Sequence, residues 1–257
     1  GRRDAGPGTA LRMSLIPDQN RLPQTPPWGI PATIGWLVLA FLLSALAATS
    51  VYGIMQGGAL PSKTTTFDGT LIAIGALTSI PVQVGVLAFA AQLRGWPAAL
   101  YLGFNLPKRG EIVFAALCVL AIDLLFDFSL YATGRDLVPS FQLEAYQTAK
   151  DGGSLAAMIL AIVVVAPIGE EAVFRGFLYR GLVRPGHEIL AIVAIALAWA
   201  LLHVQYDWLG MLQIFALGLI LGWFRWASGS TTLTVIMHVL INLEAMIETV
   251  IKVEWMT

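Results

Sequence analysis

The 257-residue chain is 57% hydrophobic and only 12% charged, with a mean hydropathy of +0.76, far from the composition of water-soluble globular domains. Its formal net charge of -1 offers no basic face, so nucleic acid is excluded as a partner. The composition points instead to a chain whose main solvent is a lipid bilayer.

In chain order, residues 1–29 read as a flexible, membrane-adjacent tail. They carry Arg2, Arg3, Arg12 and Arg21 among Pro17, Pro23, Pro26 and Pro27, without the apolar core or small-residue cleavage site of a signal peptide. A bilayer core of about 30 Å takes roughly 20 apolar residues per helix. Stretches at Ile30–Tyr52, Thr70–Leu93, Ile112–Tyr131, Leu155–Leu182, Ile189–Val204, Leu209–Trp226 and Thr231–Ile251 meet or approach that length. The expected fold is all-α, a polytopic transmembrane helical bundle of about seven spans. Breakers at Gly57-Gly58 with Pro61, Gly95 with Pro97, Gly152-Gly153, Pro185-Gly186 and Ser228-Gly229-Ser230 separate the runs. The division expected is the tail, N-terminal transmembrane helices over 30–153, and a membrane core over 154–252. Cys118 lies in an apolar run and reads as a small buried hydrophobe.

Lysine and arginine accumulate on the cytoplasmic side of a membrane. With the N-terminus inside, Arg2, Arg3, Arg12, Arg21, Arg94, Lys108, Arg109, Arg180, Arg184 and Arg225 face the cytoplasm, against Lys63, Arg135, Lys150 and Lys252 outside. The bias predicts an integral, multi-pass protein of the plasma membrane with its N-terminus inside.

Polar residues inside the spans carry the chemistry, because each costs at least ~2.5 kcal/mol at mid-bilayer and needs a partner or a wet cavity. In the fourth span, Glu171 and Arg175 are four apart, on one helix face at ion-pairing distance. Glu170 is turned about 100° away, so one carboxylate is held by the arginine while the other is left reactive. Pro167 and Gly169 loosen the helix just before them and free backbone groups there. Trp199 and His203 close the fifth span, and His238 and Asn242 share a face of the seventh at i, i+4. A carboxylate with a histidine can deprotonate water, and a second histidine with an amide can donate to an oxyanion. That division of labour suits peptide hydrolysis.

The ordered pattern of Glu170, Glu171 and Arg175, then Trp199 and His203, then His238 and Asn242 resembles the CAAX-protease and bacteriocin-processing (Abi, or CPBP) family over roughly Leu155–Val250. The resemblance implies a glutamate-dependent intramembrane endopeptidase that needs no cofactor. In it Glu170 and His203 activate water, His238 and Asn242 bind the oxyanion, and Glu171 and Arg175 hold the helix. It also implies a peptide or protein substrate, in the best-known members a prenylated CAAX protein losing its C-terminal tripeptide. Many relatives have Phe where this chain has Trp199.

Other readings compete for the same residues. Glu170, His203 and His238 form a potential zinc set, since two histidines and a carboxylate are a catalytic zinc shell. A proton-coupled carrier would explain buried Glu, His, Asp and Arg, but not their grouping into three short motifs. A silent scaffold would keep only the Glu171–Arg175 pair. The protease signatures His-Glu-x-x-His and Gly-x-Ser-Gly do not occur, and Tyr206-Asp207 lacks the Gly-x-Gly-Asp of aspartyl types. Asp123 and Asp127 are expected to line a cavity or face a neighbour without catalysing, Glu244 and Glu248 to sit at the interface, and His187 to be solvated. Depth sets a condition on the site. His203, some 14 residues into its helix, would lie ~21 Å deep, so the fourth helix must run on through Leu182 to bring Glu170 toward the same level.

Overall fold

The computed structural model describes residues 26–55 and 67–256. Most of the N-terminal tail, with its arginines, and the connector bearing Gly57, Gly58, Pro61 and Lys63 lie outside the described residues. No strand occurs among the described residues.

Nine helices carry the described chain: α1 Ile30–Met55, α2 Gly69–Leu93, α3 Ala98–Leu102, α4 Arg109–Ala132, α5 Ser140–Asp151, α6 Leu155–Leu182, α7 Glu188–Leu201, α8 Trp208–Ser228 and α9 Thr231–Trp255. Six of them, α1, α2, α4, α6, α8 and α9, are long and apolar enough to cross a bilayer. The polytopic helical bundle is as the sequence predicts. Helix α6 runs unbroken through Leu182, as the depth condition requires.

Two features differ from the apolar reading. Helix α7 is only 14 residues long, so it rises about 21 Å at 1.5 Å per residue and falls short of a 30 Å core. His203 therefore stands past the end of the helix, in the turn before α8. Helix α5 was hidden because its mixed, amphipathic sequence has no apolar run. It packs on the start of α2, where the Gly69 N–H donates to Thr148 Oγ1 at 2.9 Å.

Small residues set how closely α7 and α8 approach, the usual device where lipid offers no hydrophobic drive between helices. A Cβ at Gly222 would meet Ile192 Cγ2 at 2.7 Å. Gly222→Val is thus expected to cost about 1–3 kcal/mol by overpacking. Gly85→Ala, with no atom within 4 Å of the new Cβ, serves as the tolerated control. Thermal unfolding in detergent compares them, and equal melting temperatures would refute this packing.

Helix α6 is not regular. Its turns Ala161–Val165 and Ala172–Leu178 are π-helical, on either side of the α-helical segment with Pro167, Gly169 and the two glutamates. A π turn lengthens the hydrogen-bond ladder and leaves carbonyls to be met from elsewhere. Ile162 O accepts from Asn242 Nδ2 at 2.8 Å, and Arg175 O accepts from Arg225 Nε at 2.8 Å. The loosening read from Pro167 and Gly169 thus has a definite form.

Candidate active site

Gly169 brings α6 against α2. A Cβ there would lie 2.5 Å from Ile80 Cδ1, so this close approach seats the next residue, Glu170, beside the second helix. Between α1, α2, α6 and α7 lies a cavity of about 350 Å³, lined by Glu170 and His203 together with Trp199. Apolar walls come from Phe41, Ile80, Val173, Phe174 and Leu202.

Trp199 touches both polar groups. Its indole Nε1 donates to Glu170 Oε2 at 2.7 Å, and its main-chain carbonyl lies 2.8 Å from His203 Nδ1. A carbonyl oxygen only accepts, so His203 Nδ1 carries the proton, and in the neutral ring Nε2 keeps its lone pair. The contact thereby fixes the orientation of the ring. The next residues fix the turn: Tyr206 accepts from Gln142 Nε2 at 3.1 Å, and burial raises its phenol pKa. Asp207 caps α8 through the Gly210 N–H at 2.9 Å, and that bond holds its carboxyl below the usual range.

Glu171 faces the other way. Its side chain and that of Arg175 are both fully buried, with Nη1 to Oε1 at 2.9 Å, as the i, i+4 spacing predicts. Arg175 Nη2 also donates to Gly218 O at 3.3 Å, and the guanidinium lies 4.5 Å over the Trp199 ring. The same Glu171 Oε1 is 3.0 Å from His238 Nδ1, a long-range contact that spacing could not predict. His238 is 3% exposed and stacks edgewise on Trp199 with ring centroids 5.3 Å apart.

Glu170, Trp199 and His203 are thus brought to one cavity. His238 and Asn242 sit behind it: neither is among the lining residues, and Asn242 spends one amide N–H on Ile162 O. Glu170, His203 and His238 do not form a three-ligand group. Among the described residues, Asp127, Glu244 and Glu248 do, with one ligand atom each within 4.8 Å of the others. Asp123 is nearby in sequence, buried, and accepts from Gln213 Nε2 at 3.4 Å. The structure thus joins the acids of the third and last spans, which the sequence reading kept apart. His187 is exposed, as expected.

Sequence reasoning missed the polar wall contributed by the N-terminal helices. Ser44, Ser79 and Gln83 line the cavity opposite the motif-bearing helices, with Gln205 beside His203. The available signal was Ser79 and Gln83, four apart around Pro81 in an apolar run.

Residues 152–243 match the family model described as type II CAAX prenyl endopeptidase Rce1-like. The match contains every motif residue from Glu170 to Asn242 and leaves out Gln83, Asp123, Asp127, Glu244 and Glu248. No curated protein and no solved structure matches the chain. Residues 152–243 are a Rce1-like domain of the CAAX-protease family, carried by an integral, multi-pass membrane protein.

Proposed function

We propose that the protein is an intramembrane endopeptidase that hydrolyses a peptide bond of a membrane-associated or lipidated protein, using water activated by Glu170 and His203. The observation that carries this reading is the shared cavity, in which the Glu170 carboxylate and the His203 imidazole, through its Nδ1, are both tied to Trp199. Water held there loses a proton to the Glu170–His203 pair as its oxygen adds to the carbonyl carbon. The same proton then goes to the leaving nitrogen as the carbon–nitrogen bond breaks.

His238 and Asn242 are proposed as oxyanion donors. With Nδ1 engaged by Glu171, His238 can donate from Nε2 only as an imidazolium, and the Glu171 carboxylate is the counter-charge that stabilises it. Asn242 retains one N–H beyond the bond to Ile162. The motif residues all fall within the proposed catalytic core at 154–252, and the helices over 30–153 form its other wall. The N-terminus is proposed to face the cytoplasm, with the protein in the plasma membrane and no metal in the reaction.

The test uses full-length protein in liposomes with a farnesylated peptide ending in Cys-aliphatic-aliphatic-X, read by mass spectrometry. Release of the C-terminal tripeptide is expected, undiminished by EDTA and reduced about 100-fold or more in His203→Ala. Cleavage abolished by EDTA and restored by zinc would instead assign the histidines to a metal.

A further inference from the structure

Gln83 stands in the middle of α2, in a span long enough to cross the bilayer, yet its side chain is an amide. It is 6% exposed, lines the cavity, and has no hydrogen-bond partner among the described residues. Its amide atoms are not sealed in the protein, as Glu171 Oε2 and Arg175 Nε are, but open onto the cavity, so they are available to a group that enters it. Pro81 lies within the helix two residues earlier, and Gly169 lets Ile80 come close to α6. The amide is therefore held beside the segment that carries Glu170.

An amide side chain offers a donor and an acceptor side by side, the complement of one peptide unit. The charge of the cavity selects the ligand further. Its lining includes the Glu170 carboxylate and neither lysine nor arginine, so a terminal carboxylate would meet repulsion and no counter-ion. A neutral internal peptide group meets neither. The volume of about 350 Å³, at the small end of ligand sites, suits a short extended segment.

We propose that Gln83 is a substrate-binding residue that grips the main chain of the peptide beside the scissile bond, Nε2 donating to a carbonyl and Oε1 accepting an N–H. This rests on the proteolytic reading of Glu170 and His203. It adds that selection within the cavity is made on the backbone, and by a helix outside the Rce1-like match.

The experiment compares full-length parent, Gln83→Met and Gln83→Asn in liposomes. The probe is a farnesylated fluorogenic peptide ending in Cys-aliphatic-aliphatic-X, with analogues in which one backbone N–H at a time is replaced by an ester oxygen. Gln83→Met keeps the volume without the amide, and Gln83→Asn keeps the amide but withdraws it from the cavity. Each variant is expected to raise KM about 3- to 10-fold with little change in kcat. One ester analogue should weaken the parent by a similar factor while the Gln83→Met protein is indifferent to it. Unchanged KM in both variants, or equal ester sensitivity at every position, overturns the proposal. A further analogue carries a C-terminal methyl ester, and a loss confined to it and absent in Gln83→Met would overturn the proposal in favour of a terminal carboxylate. Peptide binding to Glu170→Gln protein, read by indole fluorescence, repeats the comparison without turnover. Cleavage that survives undiminished in Glu170→Gln would remove Glu170 from the chemistry, and no cleavage by the parent would sink the proteolytic reading, while either result leaves this binding measurement of Gln83 intact.

Discussion

Glu170→Gln is expected to leave the bundle folded and to slow peptide cleavage about 100- to 10,000-fold, the range for loss of a positioned general base. The substituted amide still fills the same volume, and its oxygen still accepts from Trp199 Nε1 as the carboxylate does at 2.7 Å. What it lacks is the capacity to take a proton from water. Because Glu170 lines the cavity and Glu171 is sealed behind it, the two adjacent glutamates should respond differently. The Gln variant at position 170 is inert but stable, whereas disturbance at 171 is felt first in folding. Single-turnover cleavage and thermal unfolding on the same detergent preparations separate the outcomes. Unaltered turnover in Glu170→Gln removes this carboxylate from the chemistry.

The second large effect concerns stability. Arg175→Met is expected to cost about 3–5 kcal/mol, because it removes the guanidinium that neutralises Glu171 where no water can reach it and leaves the carboxylate only its contact with His238 Nδ1. Both side chains of the pair are 0% exposed at 2.9 Å, so surface screening is no relief. The double substitution Glu171→Leu with Arg175→Met removes both charges together and should recover most of that loss. It should not recover activity, since His238 Nδ1 then loses the acceptor it meets at 3.0 Å. Equilibrium unfolding of the two single variants and the double variant measures this. A double variant no more stable than Arg175→Met alone would contradict the account of the pair as mutually neutralising.

Much of this was readable in the chain because bilayer physics leaves few options. Long, predominantly apolar runs gave α2 and α6 nearly to the residue, and the i, i+4 spacing gave the Glu171–Arg175 pair. The Rce1-like match was likewise legible from three short motifs. What stayed hidden has physical reasons. Leu202 and Val204 continue the apolar pattern past the true end of α7, so hydropathy could not see that His203 stands in a turn. The Glu171–His238 contact joins residues 67 apart in the chain, and helical periodicity carries no information over that distance. The union of Asp127 with Glu244 and Glu248 depends on how α4 meets α9, which neither helix encodes alone. Gln83 does not stand out in the chain, since a lone amide in a lipid-spanning run ordinarily bonds to a neighbouring helix.

The two widened turns of α6 have a mechanical consequence. Each presents one main-chain oxygen to a side chain of a later helix, Ile162 to Asn242 and Arg175 to Arg225. A rod gripped at two heights cannot slide along its axis by a single residue without surrendering both grips. The elevation of Glu170 relative to the neighbouring rods is therefore pinned by peptide oxygens above and below it, and side-chain packing can vary without letting it drift.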